Sequence, residues 1–308
     1  MRNAFVNTIL DACKTRDDIF ILSGDAGLGV FDQFKVDFPD RFRNMGVAEQ
    51  NTVSFAAGLA MTGFKVFVYN IAPFVLYRCY EQVRNDICYQ ELPVVLVGTG
   101  SGITYAPMGM SHYSVEDIGV ARTLPNLTII SPADPVEARM AAHYALDSVN
   151  PVYVRLAKRG EPVLHQKEDF TIASPQVLRE GAGTAILFHG SISEEVIKAW
   201  EILTVAGTAP RIISVPMLQP LDAQALISLL GDISAVVTVE EHYAECGLGG
   251  ILALLKNSCS TGWSLKSLGV PYRFIHQVRA GSGLRQEFSI SAEGIAGAVK
   301  ALHPGSTG

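Results

Sequence analysis

Short apolar runs alternate with amphipathic segments along most of the chain, and this alternation limits the possible folds more than any other feature. It is typical of a parallel β-sheet covered by helices on both faces. The apolar runs of the first half predict strands at Ile19–Ser23, Lys65–Asn70, Pro93–Gly98, Leu127–Ser131 and Pro151–Leu156. Helices are predicted between them, near Ala48–Met61, Val75–Tyr89, Val115–Leu124 and Pro135–Asp147. This half is therefore expected to form one doubly wound α/β domain.

A polar stretch from Ala157 to Gly183, rich in Lys, Glu, Gln and Pro, interrupts this pattern and predicts a linker. The alternation then resumes, with strands expected at Thr184–Leu187, Arg211–Val215 and Ala235–Glu240. Helices are expected near Glu194–Val205, near Asp222–Leu230, after Gly249 and near Ala292–Leu302. We therefore expect a first domain over residues 1–160, a linker over 161–180 and a smaller α/β domain over 181–308.

The composition excludes several classes of protein. The chain carries a formal charge of −6 and no dense run of Lys or Arg, which argues against nucleic acid or a membrane surface as a partner. Its five cysteines, without CxxC spacing, argue against a disulfide framework or a zinc site and favour a reducing compartment. The segment Met1–Lys14 mixes polar and apolar residues at helical spacing, which predicts a helix rather than a secretory leader or a membrane span. We therefore expect a cytoplasmic protein.

Glu49 is the strongest candidate for chemistry. It stands at an expected helix start, behind Gly46, Val47 and Ala48, whose small side chains would let a flat ring approach the carboxylate. A glutamate in the first turn of a helix is also favoured by the helix dipole, so these residues alone leave a purely structural role open.

The sequence around Glu49 resembles the pyrimidine-binding domain of the transketolase family, in Gly-Val-Ala-Glu-Gln-Asn and in the Ala-Ala-Gly-Leu-Ala that follows. Further segments resemble the family in the same order, namely Tyr80–Asp86, Leu92-Pro93-Val94, Ser111–Asp117, Leu124-Pro125-Asn126, Ser131–Asp134, Val239–His242 and Gly247–Gly249. The resemblance covers nearly the whole chain. It implies a pyrimidine-binding domain of the thiamine-diphosphate-binding fold, followed by a transketolase C-terminal domain.

The resemblance implies that Glu49 hydrogen-bonds the aminopyrimidine of thiamine diphosphate and thereby promotes deprotonation of the thiazolium carbon. Aromatic side chains line that pyrimidine in the family, and Phe74 is the first candidate here, with Tyr77 as the second. Aromatic residues at this density are also common in plain cores. Gln50 and Asp25 complete the predicted cofactor contacts.

The resemblance also implies three substrate contacts. His112 matches a histidine that faces the oxygens of the substrate, where an imidazole can exchange a proton, although a structural loop histidine is the alternative. Met108 stands where the family has an aspartate that contacts a hydroxyl of the donor, so we expect a relaxed or altered donor preference. Arg159, together with Arg155, is the candidate partner for an anionic group, and a solvated basic pair is the alternative.

The family's diphosphate-binding signature is not present. Gly24-Asp25-Ala26 with Asn51 mimics the spacing of the Gly-Asp-Gly…Asn signature, but Ala26 replaces the second glycine and Asn51 belongs to the helix that Glu49 begins. We therefore predict no metal site in this chain. The resemblance implies that Mg²⁺ and the diphosphate are bound by a separate N-terminal transketolase subunit, in an α₂β₂ assembly that acts on a ketose and an aldehyde.

Two other functions fit parts of the pattern. The beta subunit of a 2-oxoacid dehydrogenase has a similar architecture and also brings a glutamate to the aminopyrimidine, but Glu81–Asp86 and Ser111–Asp117 favour a transketolase. A non-catalytic regulatory subunit that lost the cofactor is the second alternative, and the presence of Glu49 argues against it.

Overall fold

The computed structural model describes residues 1–27, 29–158, 160–259 and 262–302. Within the first 160 residues, the strands and helices follow one another as α1 (Arg2–Ala12), β1 (Ile19–Ser23), α2 (Asp32–Asp37), β2 (Phe42–Asn44), α3 (Glu49–Met61), β3 (Lys65–Ile71), α4 (Ala72–Val75), α5 (Tyr80–Gln82), a π-helix (Val83–Cys88), β4 (Val94–Thr99), α6 (Asp117–Ala121), β5 (Thr128–Ile130), α7 (Pro135–Asp147) and β6 (Val152–Leu156).

The later elements are β7 (Gln176–Arg179), β8 (Gly183–Phe188), α8 (Ser193–Val205), β9 (Arg211–Ser214), β10 (Met217–Gln219), α9 (Ala223–Leu229), β11 (Ile233–Tyr243), α10 (Leu248–Ser258), β12 (Ser264–Val270), α11 (Gly281–Glu287) and α12 (Ala292–Lys300). In the described part of the chain, no helix is both long and apolar enough to cross a membrane.

These strands form two sheets. The first has seven strands in the order β10-β5-β6-β4-β3-β1-β2, and its neighbours are parallel except for β10 with β5. The second has five strands in the order β12-β11-β8-β9-β7, parallel except for β7 with β9. The predicted α/β architecture with parallel sheets is therefore confirmed.

Helices cover both faces of the first sheet, as the continuous apolar strands require. On one face, Phe5 of α1 and Ala142 of α7 share a buried cluster with Phe67 of β3. On the other face, Val53 of α3 packs in a cluster with Val68 of β3. This arrangement places the start of α3, where Glu49 lies, at the carboxyl ends of the central strands.

Two local predictions were wrong. The segment Val75–Tyr89 is not one helix, because α4 ends at Val75 and α5 begins only at Tyr80, while Leu76 and Cys79 between them are fully buried. The linker predicted over 161–180 contains β7, a half-buried edge strand in which polar and apolar residues are mixed. An edge strand needs few apolar residues, so its pattern resembles that of a polar connection.

The region predicted as the second domain also contributes to the first sheet. β10 pairs Met217 with Ile130 of β5, although it lies beyond the predicted linker in sequence. A three-residue strand gives no detectable period, so its pairing depends on the tertiary structure alone.

Arg155 forms a buried ion pair within the first region and a hydrogen bond to the second. The Nε of Arg155 donates to the Oδ2 of Asp117 over 2.8 Å, and neither side chain is more than 1% exposed. The Nη2 of Arg155 donates to the backbone oxygens of Ser114, in the first region, and of Glu241, in the second. Burial alone would raise the pKa of Asp117, but the charge of Arg155, together with His242 and the hydrogen bonds to the carboxylate, outweighs it and lowers that pKa.

Arg155→Leu should destabilise the chain by about 3–5 kcal/mol at neutral pH, because it leaves the carboxylate of Asp117 buried without a counter-charge. An aspartate whose folded pKa is lowered stabilises the protein above its unfolded pKa, and this contribution is lost as the pH falls. The difference from wild type should therefore shrink on acidification, as measured by urea unfolding.

Lys198→Gln is the matched control, since it breaks an exposed helix pair with Glu194 and should cost less than about 0.5 kcal/mol. A loss for Arg155→Leu no larger than that of the control would contradict this account.

Candidate active site

Glu49 lies at the first position of α3, where the chain turns sharply out of β2. Gly46 makes this turn with φ of 65°, a left-handed conformation that favours glycine, and its backbone N–H donates to the Oδ1 of Asn44. The side chain of Glu49 is only 8% exposed. The positive end of the helix dipole favours the carboxylate at this position.

Arg78 is the direct partner of Glu49. Its Nη1 lies 2.9 Å from the Oε1 of Glu49, and its guanidinium lies over the ring of Phe74, 4.5 Å from the centroid. The Nε2 of Gln50 donates to the backbone oxygen of Arg78 over 3.2 Å. Within the described residues, the Oε2 of Glu49 has no hydrogen-bond partner, so one carboxylate oxygen is available to a ligand.

His112 lies beside the same aromatic ring. It ends a 3₁₀ turn that begins at Met110, and its ring centroid is 5.3 Å from that of Phe74 and 6.1 Å from that of Tyr105. The hydroxyl of Ser111 lies 2.9 Å from its Nδ1. Burial lowers the pKa of His112, so the imidazole is mostly neutral near pH 7 and its free nitrogen can accept a proton.

The structure thus brings Glu49, Gln50, Phe74 and His112 together through Arg78, which the sequence analysis had not singled out. The sequence pattern gave no signal for this contact, because Arg78 lies in the turn between α4 and α5, which brings its guanidinium back over the ring of Phe74.

Tyr77 lies next to this cluster. Its hydroxyl lies 3.2 Å from the carboxylate of Glu116, and its side chain lines a cavity of about 480 Å³ together with Pro73 and Ser111. Asp25 is exposed, and its backbone N–H donates to Gly46. Met108 is 55% exposed, and Arg159 lies outside the described residues.

One expectation needs correction. Arg155 cannot bind a substrate anion, because it is fully buried and held by Asp117. His242, near the end of β11, is buried between the two regions, where its Nε2 accepts from the backbone N–H of Ile118 and its Nδ1 donates to the oxygen of Tyr243. Arg155 and His242 can be buried because each forms a hydrogen bond with a residue that is distant in sequence.

The described side chains include no set of ligands for the Mg²⁺ that the family resemblance implies. No group of three or more His, Cys, Asp or Glu residues in that part of the chain is arranged to hold a metal ion. A carboxylate with one free oxygen beside an aromatic ring suits a nitrogen heterocycle, whereas a diphosphate needs cationic or metal partners.

Two family models cover most of the chain. The model of the pyrimidine-binding domain of transketolase matches residues 1–161, and that of the transketolase C-terminal domain matches residues 174–295. The chain belongs to the transketolase family. It is similar to an apulose-4-phosphate transketolase subunit of Actinobacillus succinogenes, with 34% identity over 88% of each chain.

Two further relatives of this transketolase-family chain match over nearly their whole length. A putative transketolase C-terminal section of Methanocaldococcus jannaschii is 32% identical over 96% of this chain and 94% of its own. A solved structure described as a split gene transketolase, inactive beta4 tetramer, superposes with a TM-score of 0.86 at 30% identity, over 97% of this chain and 96% of that one. The resemblance stated from the motifs is therefore confirmed, and the chain is a subunit of a transketolase-like transferase from a family that depends on thiamine diphosphate.

The pKa of His112 should lie below its ordinary value of 6.5, because burial disfavours the imidazolium. Phe74→Ala removes the ring beside His112, which admits water and should move this pKa upward. NMR titration of the ring protons of His112 measures both values.

Tyr89→Ala is the control, since Tyr89 is 80% exposed and should leave the titration unchanged. A wild-type pKa at or above the ordinary value, or one that Phe74→Ala does not move, would show that burial against Phe74 does not control this imidazole.

Proposed function

We propose that this chain is the pyrimidine-binding subunit of a two-component transketolase, which moves a two-carbon ketol unit from a ketose to an aldehyde. The observation that carries the proposal is the state of Glu49. It is nine-tenths buried at the start of α3, with one carboxylate oxygen paired to Arg78 and the other without a partner in the described residues. Such a group is oriented for a ligand without being fully satisfied by the protein.

The residues around Glu49 suit the aminopyrimidine of thiamine diphosphate. When bound, this cofactor supplies a thiazolium carbon that forms the new carbon–carbon bond after it loses its proton. The Oε2 of Glu49 is available to share a proton with a ring nitrogen, while Phe74 offers an aromatic surface. Arg78 holds the carboxylate in place, and Gln50 holds Arg78 through its backbone oxygen.

His112 and Met108 are the proposed substrate contacts. The neutral imidazole of His112 can take up a proton from a substrate hydroxyl and return it later. Met108, exposed on the same loop, cannot accept a hydrogen bond from a hydroxyl as an aspartate does. We therefore expect weaker selection for a particular donor hydroxyl, since strong rejection requires a polar group that the wrong ligand leaves unpaired.

A second subunit completes the proposed site. Mg²⁺ and the diphosphate would be held by an N-terminal transketolase subunit, since the described residues contain no suitable ligand group. Exposed apolar residues lie on α3 and in the loop before it, namely Val47, Phe55 and Met61. We propose that this face meets the partner in an α₂β₂ assembly, which agrees with one relative named as a transketolase subunit and another named as a split gene transketolase. The free buried thiols of Cys13, Cys79 and Cys88 are compatible with the proposed cytoplasmic location.

The isolated chain should bind thiamine diphosphate weakly with Mg²⁺ and show no ketol transfer, because the charged diphosphate has no partner in it. Adding the N-terminal subunit should give both tight binding and activity. Calorimetry and a ketol-transfer assay measure these, and tight Mg²⁺-dependent binding by this chain alone would contradict the proposal.

A pair of surface variants tests the proposed contact face. Val47→Asp, on the loop before Glu49, should block assembly and leave the isolated chain folded. Val205→Asp places the same charge on a residue that is 91% exposed in the second region, and it should assemble normally.

Glu49→Gln should lower ketol transfer by the assembled enzyme about 10²-fold or more, because an amide cannot exchange the proton that a general acid–base must move. Folding and assembly should change little, since the amide oxygen can still accept from Arg78. Steady-state assays with matched subunit concentrations give the rates.

Glu81→Gln removes the same charge from an exposed residue outside the site and serves as the control. Equal rates for the two variants would rule out the proposed role of Glu49.

A further inference from the structure

The loop that carries His112 is closed at its base by a pair of backbone hydrogen bonds. Gly102 donates to the oxygen of Ser114 over 3.2 Å, and Ser114 donates back to Gly102 over 2.9 Å. We call residues 102–114 the His112 loop. Within it, the hydroxyl of Tyr113 donates to the backbone oxygen of Ala106, which ties the two arms together.

Glu241, near the end of β11, reaches from the second region into the base of this loop. Its Oε2 accepts from the backbone N–H of Ile103 at 3.3 Å and from the hydroxyl of Ser191 at 2.7 Å. Its Oε1 lies 2.6 Å from the Nε of Arg285. The side chain is 1% exposed, so these donors provide its whole stabilisation.

The same residue also reaches the other arm of the loop. The backbone oxygen of Glu241 accepts from the Nη2 of Arg155 at 2.9 Å, and that Nη2 also donates to the oxygen of Ser114 at 2.7 Å. Glu241 therefore holds the first arm at Ile103 directly and the second arm at Ser114 through Arg155.

Gly102 shows how close this contact is. Its φ is 61°, and a Cβ there would collide with the Cβ of Glu241 and lie 2.5 Å from its Oε2. At position 102, therefore, no residue larger than glycine fits between the loop and β11. The base of the His112 loop and Glu241 cannot shift independently of one another.

We propose that Glu241 is a positioning residue of the active site, which holds the His112 loop so that the imidazole stays beside Phe74. The catalytic effect of this positioning rests on the proposed function. Glu241 does not touch the candidate site itself. Its effect passes through Ile103 and Ser114 to the loop, in which His112 lies two residues before Ser114 with its ring beside those of Phe74 and Tyr105.

Glu241→Gln tests the proposal with a side chain of the same shape. One carboxylate oxygen becomes an NH₂ group, which faces either Arg285 or Ile103 and cannot accept from the one it faces. The charge that holds Arg285 against the base of the loop is lost in either orientation. Glu240→Gln is the matched control on the same strand. Glu240 is equally buried, but it accepts from Leu248 and Gly249 at the start of α10 and makes no described contact with the His112 loop.

Hydrogen–deuterium exchange of the isolated chain is the first measurement. Glu241→Gln should speed exchange in peptides spanning 102–114 by about tenfold and leave α10 unchanged, whereas Glu240→Gln should affect α10 and leave the loop unchanged. If Glu241→Gln does not fold, Ser191→Ala removes one donor from the same carboxylate and should speed loop exchange to a smaller degree. Unchanged exchange in the loop overturns the proposal, whether or not the assembled enzyme is active.

A double-mutant cycle in the assembled enzyme is the second measurement. Glu241→Gln should lower kcat/KM by about 10- to 100-fold, mainly through kcat, since a small misplacement of a catalytic group is costly. In a His112→Ala background the same change should cost less than about twofold, because its effect passes through His112. An equal loss in both backgrounds refutes the positioning role. If the two wild-type subunits together show no ketol transfer, the proposed function is refuted. The hydrogen–deuterium exchange result then tests on its own whether Glu241 holds the loop.

Discussion

The packing of the two sheets against each other depends on the contacts of the buried guanidinium of Arg155. Arg155 lies at the end of β6 and bonds Asp117 at the start of α6, Ser114 at the base of the His112 loop and Glu241 on β11. A buried charge is costly unless it is paired and its hydrogen bonds are satisfied. Arg155 gains its partner on β11 only when both sheets are in place, and its Nη1 has no partner among the described residues even then. The hydrogen bond from Arg155 to Glu241 therefore couples the folding of the first region to the docking of the second.

Because the two regions are coupled, the side chains of the candidate site have fixed positions relative to one another. Glu49 is set by the start of α3, and Arg78 by the turn between α4 and α5. His112 depends on a loop whose base is held from the second sheet by Glu241. Residues far apart in sequence thus converge, and the second region contributes to the site through its contact with the His112 loop.

The sequence predicted the sheets best where strands are buried on both faces. β1 and β4 are continuous apolar runs with every residue buried, so their pattern needs no tertiary information. β7 and β10 were missed, because an edge strand and a three-residue strand have too little pattern to detect. Glu49, Phe74 and His112 were predicted as site residues from the family resemblance, and the structure places them in one cluster. Arg78 was missed and Arg155 misassigned, since the partner of a charged side chain follows from the fold and not from its neighbours in sequence.

Glu49 is proposed to activate a cofactor that this chain holds jointly with a partner subunit. The most direct measurement is the rate of hydrogen–deuterium exchange at the thiazolium carbon of thiamine diphosphate in the assembled complex, followed by NMR after acid quench. Exchange should be fast with the wild-type chain and about 10²-fold slower or more with Glu49→Gln, although both complexes bind the cofactor. Equal exchange rates in two saturated complexes would contradict the central role given to Glu49.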